Sequence, residues 1–143
     1  MNFIKNKTLL LAFSLISILI VGVVLKIRLE KQEALSDFHR YSDSLLREDF
    51  LSAYQMTTTE FKNATSYQAF SDGQRQLIEE FGRLRATHLD GYSVQTEESV
   101  KNWSAILTVT LVFDKGNCRF VFEMHKQDGT WKMFGLRRLP PMA

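Results

Sequence analysis

Over residues 103–139, apolar and polar residues alternate with a period of two. Trp103, Ala105, Leu107, Val109, Leu111 and Phe113 fall on one side of the chain, and Ser104, Ile106, Thr108, Thr110 and Val112 on the other. Such alternation, rich in β-branched and aromatic residues, predicts a strand with one deeply buried face. Asp114-Lys115-Gly116-Asn117 carries turn residues that tolerate positive φ. Cys118, Phe120, Phe122 and Met124 then alternate with Arg119, Val121, Glu123 and His125 in a second strand. Asp128-Gly129 is a hairpin signal. The third strand puts Trp131 and Met133 on one face and Lys132 and Phe134 on the other, and Pro140-Pro141, which cannot donate to a ladder, ends it.

Upstream the period changes. Leu35, Phe38, Tyr41, Leu45 and Leu46 recur at helical spacing, and Phe50, Leu51 and Tyr54 predict a second, short helix that is interrupted or ended by Thr57-Thr58-Thr59. Thr65-Ser66-Tyr67-Gln68 fits a capping box with Thr65 as the cap. A third apolar stripe of Tyr67, Phe70, Leu77, Ile78 and Phe81 follows, with Gly73 as the point where it can divide. Residues 84–95 lack a helical stripe and read as a first strand, and 97–102 as a polar connector.

The N-terminus is different in kind. Residues 8–25 are 18 positions without a charge, and as a helix they span ~27 Å, close to the hydrocarbon thickness of a bilayer. No small-residue cleavage signal follows, since the run leads into Leu25-Lys26-Ile27-Arg28. An uncleaved signal anchor is therefore expected. Lys5 and Lys7 favour keeping the tail in the cytoplasm, whereas Lys26, Arg28 and Lys31 argue the other way. The short tail decides for N-in, with the domain outside the cytoplasmic membrane. The expected layout is a cytoplasmic tail at 1–7, an anchor at 8–28, a linker at 29–34, one domain at 35–139 and a C-terminal tail at 140–143.

The formal net charge is +2, but that basic excess belongs to the anchor. Lys5, Lys7, Lys26 and Arg28 flank it, leaving 14 Lys/Arg against 16 Asp/Glu from Leu29 onward. No basic stripe with interleaved aromatics is present, which argues against nucleic-acid binding. The single cysteine, Cys118, lies on an apolar strand face as a small buried hydrophobe, with Arg119 pointing the opposite way.

Helices followed by an antiparallel meander make an α+β layout. The order resembles the NTF2-like (cystatin-like, cone-shaped) superfamily. The resemblance rests on the first helix with Phe38 and Tyr41, and on the short Asp49-Phe50-Leu51-Ser52-Ala53-Tyr54 helix. Phe61 followed by Thr65-Ser66-Tyr67 and Phe70, and the closing Asp128-Gly129-Thr130-Trp131-Lys132-Met133, complete it. It implies a curved sheet wrapped around a long helix, with a pocket at the wide end of the cone. It does not imply a reaction, because the fold serves isomerases, dehydratases, transport adaptors and assembly scaffolds.

Enzymes of that superfamily place an Asp or His, often with a Tyr, on inward positions. The inward strand positions here hold no acid or base. His88, Asp90 and Tyr92 alternate on the first strand and form the best acid–base candidate, facing solvent if Leu89 faces inward. Tyr41, Tyr54, Phe81, Trp103, Phe122 and Trp131 are expected to converge on the cone interior, either as core or as the lining of an apolar ligand pocket. Thr108, Thr110, Arg119, Val121, Glu123 and His125 form the exposed sheet face, a candidate interaction surface. Three scattered histidines and one cysteine offer no close ligand pair for a metal, and no cofactor motif is present. The expectation is a non-catalytic, membrane-anchored binding or scaffold protein engaging a protein partner, another copy or a small apolar ligand. The alternative is a tethered isomerase- or dehydratase-type enzyme.

Overall fold

The computed structural model describes residues 2–96 and 103–141, and the side chains of 13–95 and 103–141. The polar connector expected at 97–102 lies outside the described residues. The elements in chain order are α1 (Asn2–Leu46), α2 (Phe50–Gln55), α3 (Thr59–Ala64) and α4 (Tyr67–Phe81), followed by β1 (Leu84–Thr96), β2 (Trp103–Phe113), β3 (Gly116–Gln127) and β4 (Thr130–Arg138). The chain divides into two compact units, Met1–Gln32 and Glu33–Ala143.

In the first unit, every large apolar side chain from Phe13 to Leu25 is exposed. A helix apolar on all faces has no side suited to water. Among the described residues, no helix is long and apolar enough to cross a membrane. The expected anchor begins at residue 8, and the side chains of 8–12 lie outside those described.

The second unit is built on a four-stranded antiparallel meander in the order β1-β2-β3-β4. The period-two pattern is realised position by position: Ala105, Leu107, Val109, Leu111 and Phe113 of β2 are buried while their neighbours are half-exposed. Register aligns Leu107 with Phe122 and Val109 with Phe120, so that large residues of β2 and β3 share the inner face. Against that face lie Ala34, Phe38, Tyr41 and Leu45 of α1, each at most 5% exposed and spaced at successive helical turns. Phe122 meets two α1 rings in T-shaped contacts, with centroids 5.4 Å from Phe38 and 6.3 Å from Tyr41. Edge-to-face pairs of this kind each add ~0.5–1.5 kcal/mol beyond area burial. Two side-chain bridges also hold α1 to the β3–β4 hairpin. The Trp131 backbone N–H donates to Asp37 at 2.9 Å, and Lys126 Nζ donates to Glu33 at 2.8 Å.

The turns follow their chemistry. Asp128 (φ 53°) and Gly129 (φ 78°) are both left-handed, as a two-residue hairpin with two positive φ values requires. The helices depart from expectation in three places. Thr57-Thr58-Thr59 starts a helix as well as ending one, because Thr58 caps α3 by accepting from the Phe61 N–H at 3.1 Å. The cap of α4 is Ser66, accepting from Ala69 N–H at 3.2 Å, and Gln68 donates to Asp72 instead of reaching back. Thr65, the expected cap, terminates α3, since its own N–H is already bonded to the Phe61 carbonyl. Gly73 does not divide α4, where helix hydrogen bonds and the burial of Phe70 outweigh the modest propensity cost of one glycine.

Candidate functional site

The cone interior is filled. Tyr41, Leu45, Gln74, Leu77, Leu111, Phe120, Phe122 and Leu136 line a residual crevice of about 10 Å³, no larger than one water. Of the aromatics expected to converge there, Tyr41, Phe122 and Trp131 belong to the buried core, and Tyr54, Phe81 and Trp103 pack against it. Tyr54 lies among Phe61, Tyr67 and Phe70 of the helical cap, its hydroxyl donating to the Thr65 carbonyl at 2.8 Å. Phe81 packs on Phe113 under Arg138. Trp131 is buried near the start of β4, held through its backbone by Asp37. Trp103 is half-buried at the start of β2. Among the described residues, Tyr41 Oη and Trp131 Nε1 are buried without a hydrogen-bond partner. Burial alone holds the Tyr41 phenol far above its usual pKa.

The His88, Asp90, Tyr92 trio does not form. β1 pairs His88 with Thr110 and Leu89 with Val109, then skips a residue and pairs Gly91 with Thr108 and Tyr92 with Leu107. The extra residue is Asp90, and a bulge of this kind reverses which face the following side chains occupy. His88 stays opposite the outward Thr110, while Tyr92 comes opposite the inward Leu107. The simple alternation read from the sequence fails at this point, because one unpaired residue breaks the period of two.

What does assemble is on the outer face of the sheet. Asp90 accepts from Thr110 Oγ1 at 2.6 Å and lies 3.5 Å from Arg119 Nε. Four residues further along β3, Glu123 Oε1 is 2.8 Å from His125 Nε2. The His125 ring stacks on Phe134 with centroids 3.9 Å apart and planes 8° from parallel. Between the two polar clusters lie Ile106, Thr108 and Val121, all half-buried. A concavity of about 440 Å³ opens there, lined by Ile106, Val121, Glu123, Phe134, Gly135, Leu136 and Arg137. Register sets Gly135 directly across from Glu123, where it contributes no side chain to the space. The expected surface residues Thr108, Thr110, Arg119, Val121, Glu123 and His125 therefore share one face. Phe134, which the alternation sets opposite Trp131 and Met133, belongs with them, and so does Gly135, whose place across from Glu123 was not read from sequence because the bulge between Glu123 and Met124 leaves no mark in the alternation.

A second cleft of about 400 Å³ opens where β2 and β3 meet α3, lined by Glu60, Trp103, Ser104, Glu123, His125, Lys126, Gln127 and Asp128. Glu60 is held below the usual carboxylate range, first by its own backbone N–H at the helix start and then by the Gln127 amide, which donates at 3.2 Å. Among the described residues no group of three or more His, Cys, Asp or Glu could hold a metal ion.

A long helix on the inner face of a four-stranded antiparallel sheet, with three short helices beside it, is consistent with an NTF2-like α+β cone. Solved structures agree at the level of fold. The chain is similar to Aln2 from a Streptomyces species, with TM-score 0.56, 14% identity, and 76% of this chain and 88% of that one covered. It is also similar to Bd1075 from Bdellovibrio bacteriovorus, with TM-score 0.56, 14% identity and 79% of this chain covered, but only 41% of that protein's length. No protein-family profile and no curated protein sequence matches the chain.

Proposed function

We propose that this chain is a membrane-anchored binding protein that presents an NTF2-like domain outside the cytoplasmic membrane and docks a protein through the outer face of the sheet. The observation that carries this reading is the contrast between the two faces. The inner face is closed around Tyr41 with about 10 Å³ to spare, whereas the outer face keeps an apolar centre flanked by the Asp90–Arg119 and Glu123–His125 pairs. An apolar centre with a polar rim is the anatomy of a protein interface. The anchor is supported by the uncharged run at 8–25 and by the exposure of its apolar side chains from Phe13 onward.

A photo-crosslinking residue at Val121 tests the docking face in intact membranes. A reproducible adduct from Val121, absent from the same probe at the exposed Leu51 on α2, supports it. Equal labelling from both positions, or none, sinks it. Carbonate extraction and labelling of Ser93→Cys with a membrane-impermeant thiol reagent test the anchor and its orientation. Release into the supernatant, or protection of the thiol in intact cells, would refute those parts.

A further inference from the structure

We infer that the open edge of β1, from Gly91 onward, is a strand-addition site that takes an extended segment of a partner protein, with alternating apolar and polar side chains, as a fifth strand of the sheet. The inference goes beyond the docking face and does not depend on it. In the order β1-β2-β3-β4 the two outer strands are finished differently. The edge of β4 is covered at its centre by the link between α2 and α3. Thr58 N–H donates to the Met133 carbonyl at 2.8 Å, Met133 N–H donates to the Met56 carbonyl at 3.0 Å, and Thr57 and Thr58 are fully buried there. β1 is 13 residues long and, among the described residues, its ladder is with β2 alone. Natural sheets guard such an edge with charges and bulges, because its unpaired N–H and C=O groups are a template for any other strand. The first half of β1 is guarded in this way. It carries the exposed Arg85, His88 and Asp90, and its register shifts between Leu84 and Ala86 and again between Leu89 and Gly91. The second half is not. Gly91 to Thr96 runs against Thr108 to Trp103 without a break, and Gly91-Tyr92-Ser93-Val94-Gln95-Thr96 includes neither a charge nor a proline.

The chemistry of that half names its occupant. Successive residues of an antiparallel strand turn their N–H and C=O to opposite sides, so about half of the run presents both groups to the open side, over roughly 20 Å. An extended backbone is what matches such a row of alternating donors and acceptors. Side chains add selection. Tyr92 pairs with the inward Leu107, yet it is 46% exposed, since β1 is the last strand of the sheet. Val94, paired with Ala105 on the same face, is half-buried. A strand added beside β1 sets its own inward side chains next to Tyr92 and Val94, where aromatic and β-branched neighbours are the favourable ones. Ser93 and Gln95 are exposed on the other face and suit polar neighbours in water. The period of two in β1 is thereby imposed on the incoming segment.

Selection from a displayed library of random peptides on the full chain in lipid nanodiscs, followed by hydrogen exchange on the complex, tests the inference. Enriched peptides are expected to alternate apolar and polar residues and to lack internal proline. When bound, they should slow exchange of the open-side amides of residues 91–95 at least about tenfold and leave residues 85–89 unchanged. Tyr92→Lys and Gln95→Lys, both at exposed positions, install the charge that guarded edges carry. Each should weaken peptide binding at least about tenfold with the melting temperature retained. If Tyr92→Lys melts early, Gln95→Lys is read instead, with the same direction expected. No enrichment over empty nanodiscs, enriched peptides without the alternation, or lysine variants that bind as well as wild type would each overturn the inference. Slow exchange of every amide at 91–95 before any peptide is added would assign the edge to a second copy or to a segment of the same chain, and would overturn it too. Peptides that protect residues around Val121 instead overturn strand addition and leave the docking face standing. Loss of the Val121 adduct, with protection at 91–95 intact, removes the docking face and leaves this site.

Discussion

Replacing Tyr41 by Phe isolates the physics of the closed interior. The ring is 1% exposed, and its hydroxyl has no hydrogen-bond partner. In the unfolded chain that hydroxyl bonds to water, so folding costs its desolvation, about 1–3 kcal/mol for an unsatisfied buried group. Phe keeps the ring and its edge contact with Phe122. It leaves a void beside a crevice of about 10 Å³, and enlarging that space by a similar volume adds back only about 0.2–0.5 kcal/mol at ~24 cal/mol per Å³. Tyr41→Phe is therefore expected to stabilise the domain by about 1 kcal/mol, which corresponds to a rise of about 4 °C in melting temperature. Alkali gives an independent sign. Burial raises the Tyr41 pKa in the folded state, so both states keep the proton below about pH 10 and the unfolded chain alone releases it above that. Wild-type stability must then fall as pH rises past about 10, by up to about 1.4 kcal/mol per pH unit from this group, and the variant must lack that share of the slope. Thermal and urea melts of both proteins at pH 7 and above pH 10 supply the comparison. A variant less stable than wild type by about 1 kcal/mol at pH 7 would mean that the hydroxyl is satisfied in solution, and the desolvation argument would fail.

Three further substitutions probe local features. Gly82 has φ +81°, and a Cβ there would sit 2.7 Å from Asp114 Cβ. Gly82→Ala should therefore cost about 1–3 kcal/mol in urea denaturation, and an unchanged midpoint would show that the close approach relaxes freely. Thr58 is fully buried and caps α3. Thr58→Ala should lose about 1–2 kcal/mol and Thr58→Ser much less, so equal losses would assign the effect to packing rather than to the cap. Asp114 is held below the usual carboxylate range, first by the Arg85 side chain and next by the Arg83 backbone N–H. Its contribution is present above the unfolded carboxylate value and is lost as pH falls through the lower folded one, so the window lies below about pH 4. Asp114→Asn should flatten the acid decline there, and an identical acid limb in both proteins would refute the assignment.

Much of the architecture is legible in local pattern. The inward set of β2 and β3, the Asp128-Gly129 hairpin and the α1 stripe of Phe38, Tyr41 and Leu45 follow from periods of 2 and 3.6, because each residue's burial is decided by its own strand or helix geometry. The uncharged run at 8–25 is equally plain in the sequence. Capping was less clear, since Thr58, Thr65 and Ser66 all carry a suitable hydroxyl and only the path of the chain selects Thr58 and Ser66.

Long-range register is a different matter. The Asp90 bulge separates Tyr92 from His88 and sends Asp90 to Thr110 and Arg119, residues 20 and 29 positions away by their numbering. The same holds for Gly135 opposite Glu123 and for Phe134 stacked on His125. Whether the six aromatics line a cavity or fill it also depends on how α1 and α4 close over the sheet, and closure leaves about 10 Å³. The sequence by itself determined the α+β order, the meander and which residues of β2 and β3 face inward. Only the tertiary structure decided that the interior is closed and that one outer face gathers both polar clusters. Periodicity is a property of each strand alone, whereas bulges and cavities arise from how strands and helices meet.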